Sequence, residues 1–270
     1  MELSKILNRI HGPVNDLSVE IIIIDDSQET FSDSINNLIK VPIRYLHRGN
    51  KLGVSSARNV GAKMANGDYL IFLDDDDDFT SDWLKDFFSF THNSADLISC
   101  DMRLIDPNQK ETLVTASNRG RGSVIPGAWM IRKSVFERVG GFDERLLFAE
   151  NTELFFRLDQ LNLKTEYIHK VNFIYKQSPD GGSKNFQNMK DSLRIILEKH
   201  DSYLTNHVKH LYHQNLGVIE MRFGNFDAAK NHLWKSWKFK PAKFSTLLRL
   251  GIAFLPIVGR RIYTMKINLK

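Results

Sequence analysis

Asp74 to Asp78 are five consecutive aspartates set directly behind an apolar run, Tyr69-Leu70-Ile71-Phe72-Leu73. Carboxylates crowded like this repel one another unless solvent or a cation relieves them. Hard divalent cations such as Mg2+ or Mn2+ prefer carboxylate oxygens. They commonly take one or two of them, with substrate phosphates and water completing the shell. The bland alternative is a solvated acidic turn. Position favours the cation, because ligands of open α/β sheets gather beyond the carboxyl ends of the strands. A second acidic pair, Asp25-Asp26, closes another apolar run, Val19-Glu20-Ile21-Ile22-Ile23-Ile24.

The elements that must hold these groups are legible in outline. Val19 to Ile24 is a continuous run dominated by β-branched residues and predicts a buried parallel strand. Ile43 to Leu46, Tyr69 to Leu73 and Leu97 to Asp101 are further strand candidates. Leu3, Ile6, Leu7 and Ile10 fall at helical spacing, as does the stretch Ser55 to Ala65, which ends near Gly67. Asp82 is placed to cap a helix running to Phe90. Ser134 to Val139 predicts a short helix closed by Gly140-Gly141, and Glu153 to Leu161 an amphipathic one. Strands alternating with helices, with acids at strand ends, indicate an open α/β sheet. Ser178 to Lys184 is turn-rich, and from Met189 the pattern is helical nearly to the end. The expected division is residues 1–188 and 189–270.

Composition sets the bounds. The chain has 270 residues, 42% hydrophobic and 26% charged, as expected of a globular protein with one sizeable core and an appendage. Its single cysteine, Cys100, excludes an internal disulfide and suits a reducing compartment. The opening residues lack the apolar h-region of a signal peptide, and no apolar run reaches membrane-spanning length. The expected location is the cytoplasm. The net charge of +5 is uneven: Ala228 to Lys270 holds ten Lys and Arg and no Asp or Glu, so the rest carries −5. Such a tail suits an anionic partner, against the alternative of a solvated helix face.

Several segments together resemble family 2 glycosyltransferases of the GT-A fold, bacterial polysaccharide-assembly type. These are Asn50-Lys51-Leu52-Gly53, Ala57-Arg58-Asn59-Val60-Gly61 and Gly67-Asp68-Tyr69 running through to Asp77. The family pattern runs N-x-G, A-R-N-x-G, then G-(D/E)-Y-(I/L)-x-F-L-D-x-D-D. Upstream, Ile21 to Ser27 is similar to its V-V-D-D-G-S. Downstream, Gly127 to Arg132, Gly140-Gly141-Phe142-Asp143-Glu144 and Glu150 to Arg157 resemble its acceptor-side segment, G-G-F-D-E and E-D-T-E-L-x-x-R. The resemblance implies an inverting transfer of a sugar from a nucleotide-diphosphate donor, UDP-linked, to a hydroxyl of a glycan or lipid-linked acceptor. By the same resemblance Asp26 receives the nucleotide base with Asp25 beside it, and Arg58 helps hold the nucleotide. Asp74 and Asp75 lie near the ribose and the metal, and Asp76, with Asp74, binds Mn2+ or Mg2+. Glu150 takes the acceptor proton, and Gly127, Trp129 and Asp143 lie on the acceptor side.

Plainer roles compete at several positions. Gly53, Gly61 and Gly67 suit turns and caps. Arg58 could be a surface residue, Asp143 a turn cap, and Glu153 with Arg157 a helix ion pair. The chain departs from the family pattern in three places. It opens inside what corresponds to the first helix, so the first strand is expected to be missing from the sheet. Asn151 stands where the base aspartate falls, and an amide cannot take up a proton. Ser178 replaces the metal-binding histidine, and His169 nearby is expected to be structural. These departures leave a second reading, a catalytically inactive homologue that binds a nucleotide sugar or a partner.

In the appendage Leu216-Gly217, Gly224-Asn225-Phe226, Ala229, Ser236 and Pro241 fit one tetratricopeptide-like unit, too few for a solenoid. Leu247 to Val258 is apolar apart from Arg249 and is followed by Arg260-Arg261, with Trp234, Trp237 and Tyr263 nearby. That pattern suits peripheral attachment at the inner face of an anionic membrane, against a core-packing helix. No nucleic-acid module is present, so no nucleic-acid partner is expected.

Overall fold

The computed structural model describes residues 6, 7, 10, 18–30, 42–118, 124–177 and 185–263. The chain forms two compact units, Met1–Gly182 and Ser183–Lys270. The division falls ahead of the expected Asn188. The Asn185 side chain accepts hydrogen bonds from the backbone N–H groups of Gln187 and Asn188, capping helix α5 (Phe186–His200). Residue 188 therefore lies within the first turn of that helix.

In the first unit β1 (Ile21–Asp25) and β2 (Ile43–His47) pair in parallel as a two-stranded sheet, followed by α1 (Val54–Met64). The remaining strands are β3 (Tyr69–Leu70), β4 (Asp78–Phe79), β5 (Leu97–Ile105), β6 (Glu111–Val114), β7 (Trp129–Arg132) and β8 (Thr165–Lys176). They form a six-stranded sheet of order β3-β7-β5-β8-β4, with β6 on β5. Helices α2 (Trp83–Ser89), α3 (Lys133–Arg138) and α4 (Glu150–Leu158) connect them. The pairing β5–β8 is parallel, with a bulge around Asp101.

Two apolar clusters cover this sheet, as the period of two along a strand requires. Trp129 and Ile131 of β7 join Phe72, Phe136, Phe142 and Leu154. Met130, between them, joins Phe79, Trp83, Phe87, Ile98 and Phe173 on the other side. Phe87 and Phe173 are wholly buried; such a side chain stabilises the fold by roughly 1.5–3 kcal/mol relative to its exposed state.

Three local expectations are revised. The isoleucines of β1 are only partly buried, because β1 pairs with β2 alone. Strand β3 stops at Leu70 rather than Leu73, and it pairs with β7 alone. Among the described residues no strand lies between β1 and β3. A cleft of about 1520 Å³ opens there, lined by side chains that include Ile21, Ile23, Ile71 and Leu73. Asp82 precedes α2 but makes no side-chain cap. Its carboxylate instead accepts a hydrogen bond from Lys170 Nζ at 2.7 Å, a stronger charged partner than a backbone N–H.

The second unit comprises α5, α6 (Asn206–Arg222), α7 (Phe226–Phe239), α8 (Phe244–Ala253) and α9 (Pro256–Tyr263). Helices α6 and α7 make a hairpin that turns at Gly224, whose φ of 78° is in the left-handed region. Gly217 lets the two helices touch: a Cβ there would come within 2.6 Å of Leu233. Met221, Phe226, Ala229, Leu233, Leu250 and Ala253 form the core of this unit.

Candidate functional site

Arg58 organises the site. It sits on α1, 8% exposed. Its Nη2 donates to Asp74 Oδ1 at 2.8 Å and its Nη1 to Glu150 Oε1 at 3.1 Å. Asn151 Oδ1 lies 3.5 Å from Nη1. The guanidinium also lies over the Phe142 ring, 5.5 Å from its centroid. One forked cation therefore ties the acidic end of the β3 segment to the start of α4. A planar guanidinium serves two carboxylates in a way an ammonium cannot. Asn151 Nδ2 donates to the same Oε1 of Glu150 at 2.9 Å.

The first acidic pair is held equally firmly. Arg48 grips Asp26 with two bonds of 2.6 Å, from Nε and Nη2. Asp25 accepts from the Ser27 backbone N–H at 2.8 Å, from Ser27 Oγ and from the Tyr45 hydroxyl. Burial pushes the Asp25 carboxyl upward, but the bonds from Ser27 and Tyr45 outweigh it and hold the group below its ordinary value. Asp25, Asp26, Asp74, Asp75, Arg58 and Glu150 all line the cleft between β1 and β3.

The aspartate run is a turn, not a uniform patch. Asp74, Asp75 and Asp76 are exposed, whereas Asp77 folds inward and accepts a hydrogen bond from the Asp74 backbone N–H at 2.8 Å. Burial, opposed by that bond and reinforced by the charges of Asp74 and Asp76, pushes Asp77 up to about 7. Asp78 pairs with Lys176 at 3.0 Å. Tyr175 on β8 sits in the same field. Burial raises its hydroxyl first, and the charges of Asp74, Asp77, Asp76 and Glu150 raise it further. Among the described residues no group of three or more His, Cys, Asp or Glu side chains is gathered to hold a metal.

The backbone ahead of Glu150 is shaped to present it. Asn59 on α1 pairs with Phe142 like a short strand: its Nδ2 donates to the Phe142 carbonyl at 2.9 Å, and its Oδ1 accepts from the Phe142 N–H at 2.8 Å. Gly141, at φ 68°, leaves room for this, since a Cβ would come within 2.6 Å of Asn59 Oδ1. Ala149 then adopts φ 58°, an uncommon conformation for a residue with a side chain, and α4 starts at Glu150.

The acceptor-side candidates lie elsewhere. Trp129 is wholly buried against Phe72 and Phe155, and its indole N–H has no partner. Gly127 is a packing position, where a Cβ would fall 2.2 Å from Phe173; its carbonyl accepts from Trp83 Nε1 at 2.6 Å. Asp143 is clasped by Arg145, whose Nε and Nη2 donate at 2.9 and 2.8 Å. Glu153, fully buried, is held by the Arg157 guanidinium at 2.7 Å as an i,i+4 ion pair. His169 is exposed beside Tyr167, and Ser178 lies outside the described residues. Sequence reasoning assigned no role to Arg48, Tyr45, Asn59, Asp77 or Tyr175. Asn59 and Asp77 stood inside quoted motifs. Arg48 and Tyr45 follow from the parallel register, which sets Asp25 opposite His47.

Acidic residues that follow two apolar segments line one cleft of an α/β unit, where ligands of such sheets bind. Residues 3–180 match the family described as Glycosyl transferase family 2. The chain is 23% identical to human polypeptide N-acetylgalactosaminyltransferase 14, covering 82% of this chain and 47% of that protein. It is 24% identical to an uncharacterized glycosyltransferase of Rickettsia prowazekii, covering 92% and 82%. A further uncharacterized glycosyltransferase, from Haemophilus influenzae, is 26% identical over 57% of this chain and 55% of its own length. The chain thus spans about half the length of the human and Haemophilus relatives. In fold it is similar to S. aureus TarS 1-349, with a TM-score of 0.58 at 16% identity over 97% of this chain and 85% of that one. The same fragment in complex with UDP gives 0.57 at 18% identity over the same shares of both chains. The chain belongs to glycosyl transferase family 2, and its first unit has a GT-A-like α/β fold.

Proposed function

We propose that this protein transfers a sugar from a nucleoside-diphosphate donor, UDP-linked, to a hydroxyl of a glycan or lipid-linked acceptor, with inversion. The observation that carries this is the Arg58 bridge, which fixes Asp74 and Glu150 at one cleft. Asp25 and Asp26 receive the nucleotide at the end of β1. Arg48 uses one lone pair on each Asp26 oxygen and leaves others for the base. The bonds of Arg58 and Asn151 to Glu150 both fall on Oε1. Oε2 is then the atom that takes the acceptor proton as the hydroxyl oxygen attacks the anomeric carbon and the bond to the diphosphate breaks. Asn151 orients the base instead of acting as one.

The donor set suits a site completed by substrate. Asp76, with Asp74, would hold Mn2+ or Mg2+, which takes one or two carboxylates plus phosphates. When bound, the cation neutralises the diphosphate as leaving group. The UDP complex of the similarly folded TarS fragment supports the choice of nucleotide.

Calorimetric titration of UDP with and without Mn2+, beside Asp76→Ala, tests the donor site. Binding is expected to need both the metal and Asp76; equal binding by Asp76→Ala, or none by folded protein, would remove the donor assignment. Asn151 favours a second reading, a homologue that binds donor without turnover. Turnover by the parent separates the two, and Glu150→Gln then tests the base. It is expected to keep UDP affinity and lower kcat by about 10²–10⁴, whereas an unchanged rate removes Glu150 as base.

A further inference from the structure

Helix α8 is apolar on two faces, and only one of them is used. Thr246, Leu250 and Ala253, at i, i+4 and i+7, form the buried stripe. Leu250 and Ala253 join the core with Met221, Phe226 and Leu233. Gln214 Nε2 donates to Thr246 Oγ1 at 2.8 Å and pins that stripe. The opposite side of α8, the turn after it and α9 present Phe244, Leu248, Phe254, Leu255, Ile257 and Ile262 to solvent. Ile257 is 86% exposed and Phe244 76%. These are not loose ends. Gly259 seats α9 so closely that a Cβ would lie 2.4 Å from Phe226, and the Lys230 ammonium lies 5.2 Å from the centroid of the Phe254 ring.

Charge says what covers this face. Lys243, Arg249, Arg260 and Arg261 sit on or beside the same two helices, and no Asp or Glu occurs from residue 228 to the end. An exposed apolar face of this extent marks an interaction surface. Cations outnumber the one acid nearby, Asp227, which Lys230 pairs at 2.8 Å, and such a surround complements an anionic partner. Both helices are short: the ten residues of α8 span about 15 Å, against a hydrocarbon core of about 30 Å. Among the described residues no helix is long and apolar enough to cross a membrane. Short helices with apolar side chains outward and arginines alongside fit the plane of the bilayer interface.

We infer that the outer face of α8 and α9 docks onto the headgroup region of an anionic lipid bilayer, apolar side chains entering the interface and Lys and Arg pairing with lipid phosphates. The donor site is not involved, so the inference stands or falls apart from the transfer reaction.

The test is flotation of the full chain with vesicles of phosphatidylcholine alone and of phosphatidylcholine mixed with phosphatidylglycerol. The parent is expected to float with the mixed vesicles, less so as salt rises. Leu248→Glu with Ile257→Glu is expected to lower partition about tenfold or more, with unchanged far-UV circular dichroism, because both side chains already face water. Arg260→Gln with Arg261→Gln is expected to cause a loss of about tenfold on mixed vesicles only. Absence of flotation overturns the inference, as does equal flotation by both variants. So does a concentration-dependent dimer in sedimentation that Ile257→Glu dissolves while lipid binding is nil, since the face would then serve a second copy of this chain.

Discussion

Arg58 carries more of the site than any of the acids it touches. Its guanidinium is buried, while Asp74 is half exposed and Glu150 mostly covered. Removing the cation strands Glu150 in a poorly solvated position, and breaking a buried pair of this kind costs on the order of 3 kcal/mol. The half-exposed Asp74 arm contributes the smaller part, because solvent screens it. Arg58→Ala is therefore expected to lower the unfolding free energy by about 3 kcal/mol in urea melts. Arg58→Lys is expected to recover less than half of that, since one ammonium cannot hold two separated carboxylates. A lysine variant as stable as the parent would mean the fork is not what joins the β3 segment to α4. The motif containing Arg58 was visible in the sequence, but its burial was not. Arg58 belongs to a short helix whose partners, Asp74 and Glu150, lie 16 and 92 residues away. No local spacing encodes such a contact. Trp129 and Gly127 show the same limit: their motif named them, but not that one is a wholly buried side chain and the other leaves room for Phe173.

At the scale of elements, hydrophobic pattern located the strands well and their neighbours poorly. Ile21 to Ile24 was correctly a parallel strand, but a run apolar on both faces is expected to be covered on both, and these isoleucines are only partly buried in a strand with a partner on one edge. The short β3 shows the same deficit. These two strands start side by side: Glu20, just ahead of β1, accepts hydrogen bonds from the backbone of Asn66 and Gly67, just ahead of β3. The cleft between them is edged by strand backbone and walled by isoleucine and leucine. An added parallel strand there would gain a ladder on each edge and cover the half-exposed isoleucines. Fusing a short β-branched segment ahead of Met1 through a flexible linker is expected to raise Tm by several degrees and to slow amide exchange in β1. The same fusion with a proline at its centre should do neither, since proline removes a ladder donor. If both fusions behave alike, the cleft closes without a strand. That Asp25 and Asp74 line one cleft, by contrast, was readable from the sequence, because each acid directly follows an apolar run.

For the whole molecule, the two units titrate in opposite senses. In the first, burial lifts Asp77 from about 3.8 to about 7. A carboxyl whose folded pKa is raised contributes stability that is complete below its unfolded pKa and is lost as pH rises through the folded one. Asp77 therefore weakens the first unit between about pH 4 and pH 7. Asp25 and Glu20 are held below their ordinary values, so the stability they contribute is complete through most of that window and is lost as pH falls below it. In the second unit His213 and His232 face each other with Nδ1 atoms 3.0 Å apart, one donating and one accepting. Burial, then the neighbouring histidine and Lys235 for His213 and Arg194 and Lys235 for His232, lowers each to about 4. A histidine with a lowered folded pKa contributes stability that is complete above its unfolded value near 6.5 and is lost as pH falls toward 4. Two substitutions separate these effects within one chain. Asp77→Asn keeps an oxygen for the Asp74 N–H but cannot ionise. Its Tm relative to the parent is expected to improve from about pH 5 to about pH 8. His213→Asn with His232→Asn removes both titrating rings, and its Tm relative to the parent is expected to improve in the other direction, toward pH 5. Parallel pH profiles for a variant and its parent would show that the group concerned is solvated in the folded protein, and the inward turn of Asp77 or the neutral histidine pair would then have to be abandoned.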